Sequence, residues 1–137
     1  MADAWTIVRF PDHGPQTKTG DLSAAALTYT YTPVEASSNV WRALTDGGTL
    51  VAIVPNTALA SATGVNGFDP AGIVVRVSAS AGVNLGLEDE VYAAAGFTVD
   101  AGTAGNIPIG RVVDFEPSSA GIVNVELYPP GVGNAHA

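Results

Sequence analysis

The chain has 137 residues, with 5 lysines or arginines against 13 aspartates or glutamates, giving a formal net charge of −8. Nucleic acids require a basic binding face and anionic membranes repel an acidic protein, so both are excluded as partners. Cysteine is absent, which excludes disulfides and thiolate metal sites.

The length fits one domain, and the sequence predicts neither a transmembrane helix nor a secretory signal peptide. Only 13% of the residues are charged, although 47% are hydrophobic. Such sparse charge favours a subunit whose surface is covered by sister subunits or by a larger assembly. The other interpretation is that small uncharged residues simply replace charge on an exposed surface.

Residues 1–26 are predicted to form an extended N-terminal arm. Residues 5–10 have the composition of one short strand, and a Pro-Gly-rich stretch at residues 11–15 then interrupts it. Asp21 is predicted to cap a single helical turn that ends at residue 26.

Two arrangements of this arm are open. In the first, it is mobile in the free protein and becomes ordered by strand pairing with a neighbouring molecule. Trp5, Ile7 and Arg9 would then lie on one face and Phe10 on the other, which makes all four side chains candidates for an interface with another protein. In the second, residues 5–10 are the first strand of the domain itself.

Residues 27–130 are predicted to form a single small β-barrel or sandwich-like domain, so the fold class is all-β. Residues 27–32 alternate with period two, and Pro33 is expected to limit that strand. The Asn66-Gly67 pair predicts a tight turn. Residues 131–137 are predicted to be a flexible C-terminal tail. Further strands are expected at residues 49–54, 73–77, 90–94, 97–100, 107–115 and 122–128.

The candidates for catalysis are few. His13 lies in the arm and His136 is next to the last residue, so neither is placed to serve a Ser-His-Asp triad. The acidic run at residues 88–90 lacks the spacing of a calcium-binding loop, and successive side chains on a strand point in opposite directions. We predict that the protein is not an enzyme and holds no metal or other cofactor.

Aromatic residues and arginine are enriched at the hot spots of protein interfaces. Tyr29, Tyr31, Trp41 and Arg42 are therefore further candidates for a protein interface. The alternative is that they belong to the core and rim of the domain itself.

Residues 73–128 read IVVRVSASAGVNLGLEDEVYAAAGFTVDAGTAGNIPIGRVVDFEPSSAGIVNVELY. The stretch contains, in this order, a β-run, a glycine turn, an acidic residue before Val91, a hairpin through Gly96 and a final alternating strand. In this order of elements the stretch resembles the capsid cement, or head decoration, proteins of tailed bacteriophages. The likeness covers about half of the chain, and residues 1–45 match nothing in that family.

The resemblance implies a β-barrel-like domain without catalytic residues. It implies that the partners are the major capsid protein of a phage head and further copies of the chain, forming a homotrimer. The protein would be made in the host cytoplasm and located in the virion, on the outer surface of the capsid, where it stabilises the shell. The main alternative is a non-catalytic carbohydrate-binding or adhesive β-domain of a phage tail or cell surface. The positions of the histidines disfavour a third alternative, a small hydrolase.

Overall fold

A computed structural model describes residues 2–115 and 121–137. Within these ranges the chain forms β-strands and one short 3-10 turn, Ala95–Phe97, and it has no α-helix, which confirms the all-β fold class. The same residues contain no helix of the length and hydropathy needed to cross a membrane. The strands are β1 (Thr6–Arg9), β2 (Thr17–Gly20), β3 (Thr32–Ser37), β4 (Val40–Ala43), β5 (Ala52–Val54), β6 (Val65–Phe68), β7 (Val74–Ser78), β8 (Glu90–Ala94), β9 (Thr98–Asp100), β10 (Gly110–Phe115) and β11 (Ile122–Leu127).

The strands form two antiparallel sheets. The six-stranded sheet has the order β1-β7-β11-β10-β8-β9, and the five-stranded sheet has the order β2-β6-β5-β3-β4. Both sheets curl, because Ala79 after β7 bridges Val99 of β9, and Leu22 after β2 bridges Trp41 of β4. Each of these contacts is a single bridge, so neither sheet closes into a barrel and the domain is a small β-sandwich.

The two sheets enclose the main core, because alternate side chains along their strands are apolar and point towards it. In β11, Val123, Val125 and Leu127 are buried in this core, whereas Glu126 lies at the surface side of the same strand. β5 is buried on both faces. Ile53 belongs to the main core, while its neighbours Ala52 and Val54 belong to a second, smaller core inside the curled five-stranded sheet.

Trp41 occupies this second core because two glycines leave room for its indole ring. A Cβ atom at Gly20 would lie 2.4 Å from Trp41 Cε2, and one at Gly67 would lie 3.2 Å from Trp41 Cζ3. The tight turn expected at Asn66-Gly67 is therefore wrong. Both residues lie in β6, and Gly67 serves close packing rather than a reversal of the chain.

The N-terminal segment is part of the domain, contrary to the prediction of an extended arm. β1 pairs with β7 and β2 pairs with β6, so the segment contributes a strand to each sheet. Trp5 is only 1% exposed, and its indole Nε1 donates a hydrogen bond to the carbonyl of Phe97 at 3.0 Å. The helical turn expected after Asp21 is also wrong, because Leu22 extends to bridge β4 and the Asp21 carboxylate accepts the Gly64 amide at 3.0 Å.

The strand expected at residues 27–32 is interrupted. Tyr31 has a φ of 50°, a left-handed conformation that breaks an extended run. β3 instead starts at Thr32 and continues through Pro33, which pairs with Ile53. A hairpin that the pattern did not predict then joins β3 to β4 through residues 38 and 39, both with positive φ, as two-residue hairpin turns require.

The C-terminal segment at residues 131–137, predicted to be a flexible tail, is held against a neighbouring loop. The His136 amide donates to the carbonyl of Asn106 at 2.7 Å, and the His136 carbonyl accepts the Gly105 amide at 2.9 Å. The imidazole packs edge-on against Tyr92, with ring centroids 5.4 Å apart. These contacts order a residue that the sequence position alone suggests would fray.

Candidate functional site

Charged residues are absent from two long stretches of the sequence, residues 22–34 and residues 47–68. The fold brings these two stretches together. Leu27 and Ala58 exchange backbone hydrogen bonds of 2.9 and 3.0 Å, and the Ser61 amide donates to the carbonyl of Ser23 at 2.7 Å. We give the name uncharged face to the exposed residues nearest these hydrogen bonds, which are Ala24, Ala25, Ala26, Thr28, Tyr29, Thr57, Leu59, Ala60 and Ser61.

The uncharged face carries a projecting leucine beside a recess. Leu59 is 81% exposed, and Tyr29, on the same face, is 43% exposed. Next to Leu59 lies an apolar hollow of about 260 Å³ lined by residues 26–28 and 57–59. A second hollow of about 210 Å³ shares residues 26–28 and extends to Tyr29 and Phe97, whose rings pack edge to face at 5.7 Å. Single exposed apolar residues are ordinary, but an exposed leucine and an exposed tyrosine near two hollows make this surface a candidate protein contact site, with Asp3 and Asp21 at its edges.

Charge is concentrated elsewhere, on the solvent side of β8, β10 and β11. Arg111 pairs across the strands with Glu90 and Glu126, and its guanidinium lies 2.6 Å from Glu88 Oε2 and 3.3 Å from Glu126 Oε1. The hydrogen bond to Glu126 and the nearby Glu88 carboxylate raise the pKa of Arg111. We name this surface, with Tyr128 beside it, the acidic side.

Tyr128 is held by the same acidic side. Its hydroxyl donates a hydrogen bond to Glu90 Oε2 at 3.0 Å. Burial, together with this hydrogen bond and the negative charge of Glu90, raises the pKa of Tyr128 to about 12. The phenol therefore stays protonated over the physiological range and fixes the end of β11 to β8.

Glu35 is a buried carboxylate that ties the β3–β4 hairpin to the loop after β4. Arg42 Nε and Nη2 lie 2.9 and 2.8 Å from Glu35 Oε2, while the Thr45 amide and hydroxyl both donate to Oε1 at 2.7 Å. Burial alone would raise the pKa of Glu35, but the hydrogen bonds from Thr45 and the Arg42 charge together lower it. Because the folded-state pKa lies below the unfolded one, this carboxylate stabilises the fold above its ordinary pKa, and the effect is lost as the pH falls through the folded-state value.

The eight interface residues predicted from the sequence do not form one surface. Trp5 lies in the main core and Trp41 in the second core, so neither is available to a partner. Of the other six, three pack against the main core, namely Ile7, Phe10 and Tyr31. The remaining three, Arg9, Tyr29 and Arg42, are exposed to solvent.

Of these eight residues, only Tyr29 belongs to the uncharged face. Arg42 is exposed but is engaged by Glu35, and Phe10 packs edge to face on Phe68 at 5.3 Å. Leu59 was not among the interface residues predicted from the sequence. The signal that could have indicated it is its position within a long stretch without charged residues.

In residues 2–115 and 121–137, no cluster of three or more histidines, aspartates or glutamates is placed to bind a metal ion. No protein-family model matches the chain, and neither a curated protein nor a solved structure matches it significantly. The function is therefore inferred from the surfaces described above, together with the resemblance of residues 73–128.

Proposed function

We propose that the protein is a capsid decoration protein, which binds the outer surface of a phage head as a trimer and stabilises the shell. The observation that carries this proposal is that the uncharged face and the acidic side are built from different segments of a protein of net charge −8. In an assembly, neighbouring subunits or the shell would cover the uncharged face, and the acidic side would remain in water.

The physical requirements of such a protein agree with this separation. The residues of the uncharged face carry no charged side chain, so covering them does not itself incur the desolvation penalty of a buried ion. A solvated acidic side keeps the protein soluble before it binds. Stabilisation itself needs no chemistry, because a protein that binds the assembled shell and not its free subunits shifts the equilibrium towards the shell.

The resemblance to cement proteins supports the same proposal. Its residues, 73–128, include β7 to β11, which are five of the six strands of one sheet. The likeness therefore falls on one structural unit rather than on scattered segments.

Co-sedimentation with shells tests the proposal. Shells assembled from a phage major capsid protein are mixed with the purified protein, and the pelleted fraction is measured as a function of protein concentration. We expect saturable binding to assembled shells, no binding to free capsid subunits and a raised melting temperature of the shell. Equal binding to free subunits, or no binding to shells, would contradict the proposal.

One groove favours the alternative of a carbohydrate-binding module. It has a volume of about 290 Å³ and is lined in part by Arg76, Phe97 and the hydroxyl residues Thr6, Ser78 and Thr98. Arginine, hydroxyl groups and an aromatic ring are a combination suited to sugars, since they supply hydrogen bonds and an apolar surface. Saturable binding to glycans on an array, abolished by Phe97→Ala, would favour this alternative over capsid decoration.

A further inference from the structure

We infer that Glu35 is the latch of an acid-sensitive clasp, formed by residues 45–48, which ties the five-stranded sheet to the six-stranded sheet. The clasp is closed while the Glu35 carboxylate is charged, and it opens locally when that carboxylate is protonated, while both sheets stay folded. The inference does not rest on the proposed function, because it concerns contacts within a single copy of the chain.

The clasp is attached to one sheet through Glu35 and to the other through Gly47. On the five-stranded sheet, Glu35 Oε1 accepts hydrogen bonds from the amide and the hydroxyl of Thr45, both at 2.7 Å. The chain at Gly48 passes so close to the same oxygen that no Cβ would fit there. On the six-stranded sheet, the Gly47 amide donates to the carbonyl of Ala93, in β8, at 2.8 Å. The clasp therefore bridges the two sheets, and a single carboxylate holds one of its ends.

Protonation of Glu35 places a hydrogen-bond donor where the structure requires an acceptor. Arg42 Nε and Nη2 hold Oε2, and the Thr45 amide and hydroxyl hold Oε1, so donors surround both oxygens. A protonated carboxyl carries an O–H group on one of its oxygens, and that group would face either Arg42 or Thr45. Hydrogen bonds to a charged group are also roughly twice as strong as those to a neutral one, so the remaining bonds weaken.

The flanks of the clasp are anchored independently of Glu35, which confines the opening to the clasp. Leu44 and Leu50, on either side of it, are buried in the main core. The Val51 amide donates to the carbonyl of Val34 at 2.9 Å. Between the two leucines, the clasp exposes its first two residues and then continues with two consecutive glycines, whose backbone rearranges easily. A short, exposed segment between fixed ends opens at a lower free energy than the whole domain.

The titratable groups near the latch are few. β4 contributes Arg42, and the clasp itself contributes Asp46, which is exposed. β5, which pairs with β3, consists of apolar residues only. β8, at the far end of the clasp, carries Glu90 and Tyr92, but the charge that acts on Glu35 is that of Arg42.

The direction of the switch follows from these contacts. Burial raises the pKa of Glu35, but the hydrogen bonds from Thr45 and the Arg42 charge together bring it below the ordinary glutamate value. The carboxylate is therefore charged at neutral pH, with the clasp closed. The clasp opens as the pH falls through the lowered pKa, because the bonds that close it need the charged form.

Amide hydrogen exchange, measured by NMR and divided by the intrinsic rate at each pH, tests the clasp. The Gly47 amide reports on the clasp, and the Val51 amide in the anchored flank is the internal reference. As the pH falls below the ordinary glutamate pKa of 4.5, we expect the protection of Gly47 to fall at least about tenfold relative to that of Val51. The Thr45 amide resonance should titrate with the same midpoint, since this amide is bonded to the carboxylate.

Two variants connect the opening to Glu35. Glu35→Gln removes the charge and keeps the shape of the side chain, so Gly47 should be at least about tenfold less protected at neutral pH and should lose nothing further in acid. Asp46→Asn is the matched control, because it removes an exposed carboxylate from the clasp itself and should keep the wild-type pH dependence. Circular dichroism checks that both variants fold.

The wild-type protein alone can refute the inference. Protection of Gly47 that does not change with pH, or an equal loss of protection at Gly47 and Val51, would overturn it without any variant. Full protection of Gly47 in Glu35→Gln at neutral pH would also overturn it. So would loss of the pH response in Asp46→Asn, because the response would then belong to Asp46.

Discussion

Replacement of Trp5 by alanine tests whether the N-terminal segment belongs to the folded domain. The indole is 1% exposed, packs in the main core and donates a hydrogen bond to the carbonyl of Phe97, which is 92 residues away in the chain. Removing a large aromatic side chain from a core costs about 3–5 kcal/mol. The unpaired Phe97 carbonyl adds about 1 kcal/mol if water does not reach it. The total is a large fraction of the roughly 5–15 kcal/mol by which domains are stable.

Urea unfolding measures this loss, with far-ultraviolet circular dichroism and the fluorescence of Trp41 as independent probes. Val8→Ala is the matched control, because Val8 lies three residues further along the same segment, in β1, but is 43% exposed, and we expect it to change stability by about 0.5 kcal/mol or less. If Trp5→Ala lowers the free energy of unfolding by less than about 1 kcal/mol, residues 2–9 are not part of the cooperative unit. In that case the prediction of an extended arm would be correct and the reasoning from burial would fail.

Three further predictions concern single residues. Gly20→Ala should lower the free energy of unfolding by about 1–3 kcal/mol, measured by thermal melting, because the added methyl group meets the Trp41 ring; an unchanged melting temperature would refute this. Glu35→Gln should destabilise the protein at neutral pH and also reduce its loss of stability below the ordinary glutamate pKa of 4.5; parallel pH profiles for the two proteins would refute the assigned pKa direction. In an absorbance titration, Tyr128 should ionise near pH 12, and Glu90→Gln should lower that value; ionisation at the ordinary tyrosine pKa would contradict the hydrogen bond.

The strands that the sequence predicts best are those with local signals. β7, β8, β9 and β11 each lie within or overlap an expected strand, because alternating apolar residues and nearby glycine turns are read directly from neighbouring positions. The hairpin through Gly96 is of the same kind, since its two strands are adjacent in the chain. Such elements need no information about distant residues.

The features that the sequence did not predict depend on contacts between distant residues. From the sequence alone, an aromatic residue in a short strand suits a core as well as an interface. The hydrogen bond from Trp5 to Phe97, which is distant in the chain, shows that Trp5 belongs to the core. Glycine is likewise typical of turns, and the sequence does not show that Gly20 and Gly67 both lie against the ring of Trp41. Tertiary packing overrides the local preference at all these positions.

The candidate site was partly visible in the sequence. The charge-free stretches at residues 22–34 and 47–68 are evident from composition, but their union into one face depends on the bridge between Leu27 and Ala58. Tyr29 was expected at an interface because of its residue type. Leu59 was not, because leucine in an apolar stretch more often belongs to a core.

Cryo-electron microscopy of shells assembled in the presence of this protein tests the central claim most directly. We expect density for the chain on the outer surface, in groups around three-fold positions, with the uncharged face covered and Glu88 turned towards solvent. Shells without added density on the outer surface, or with isolated single copies away from any three-fold axis, would contradict the claim.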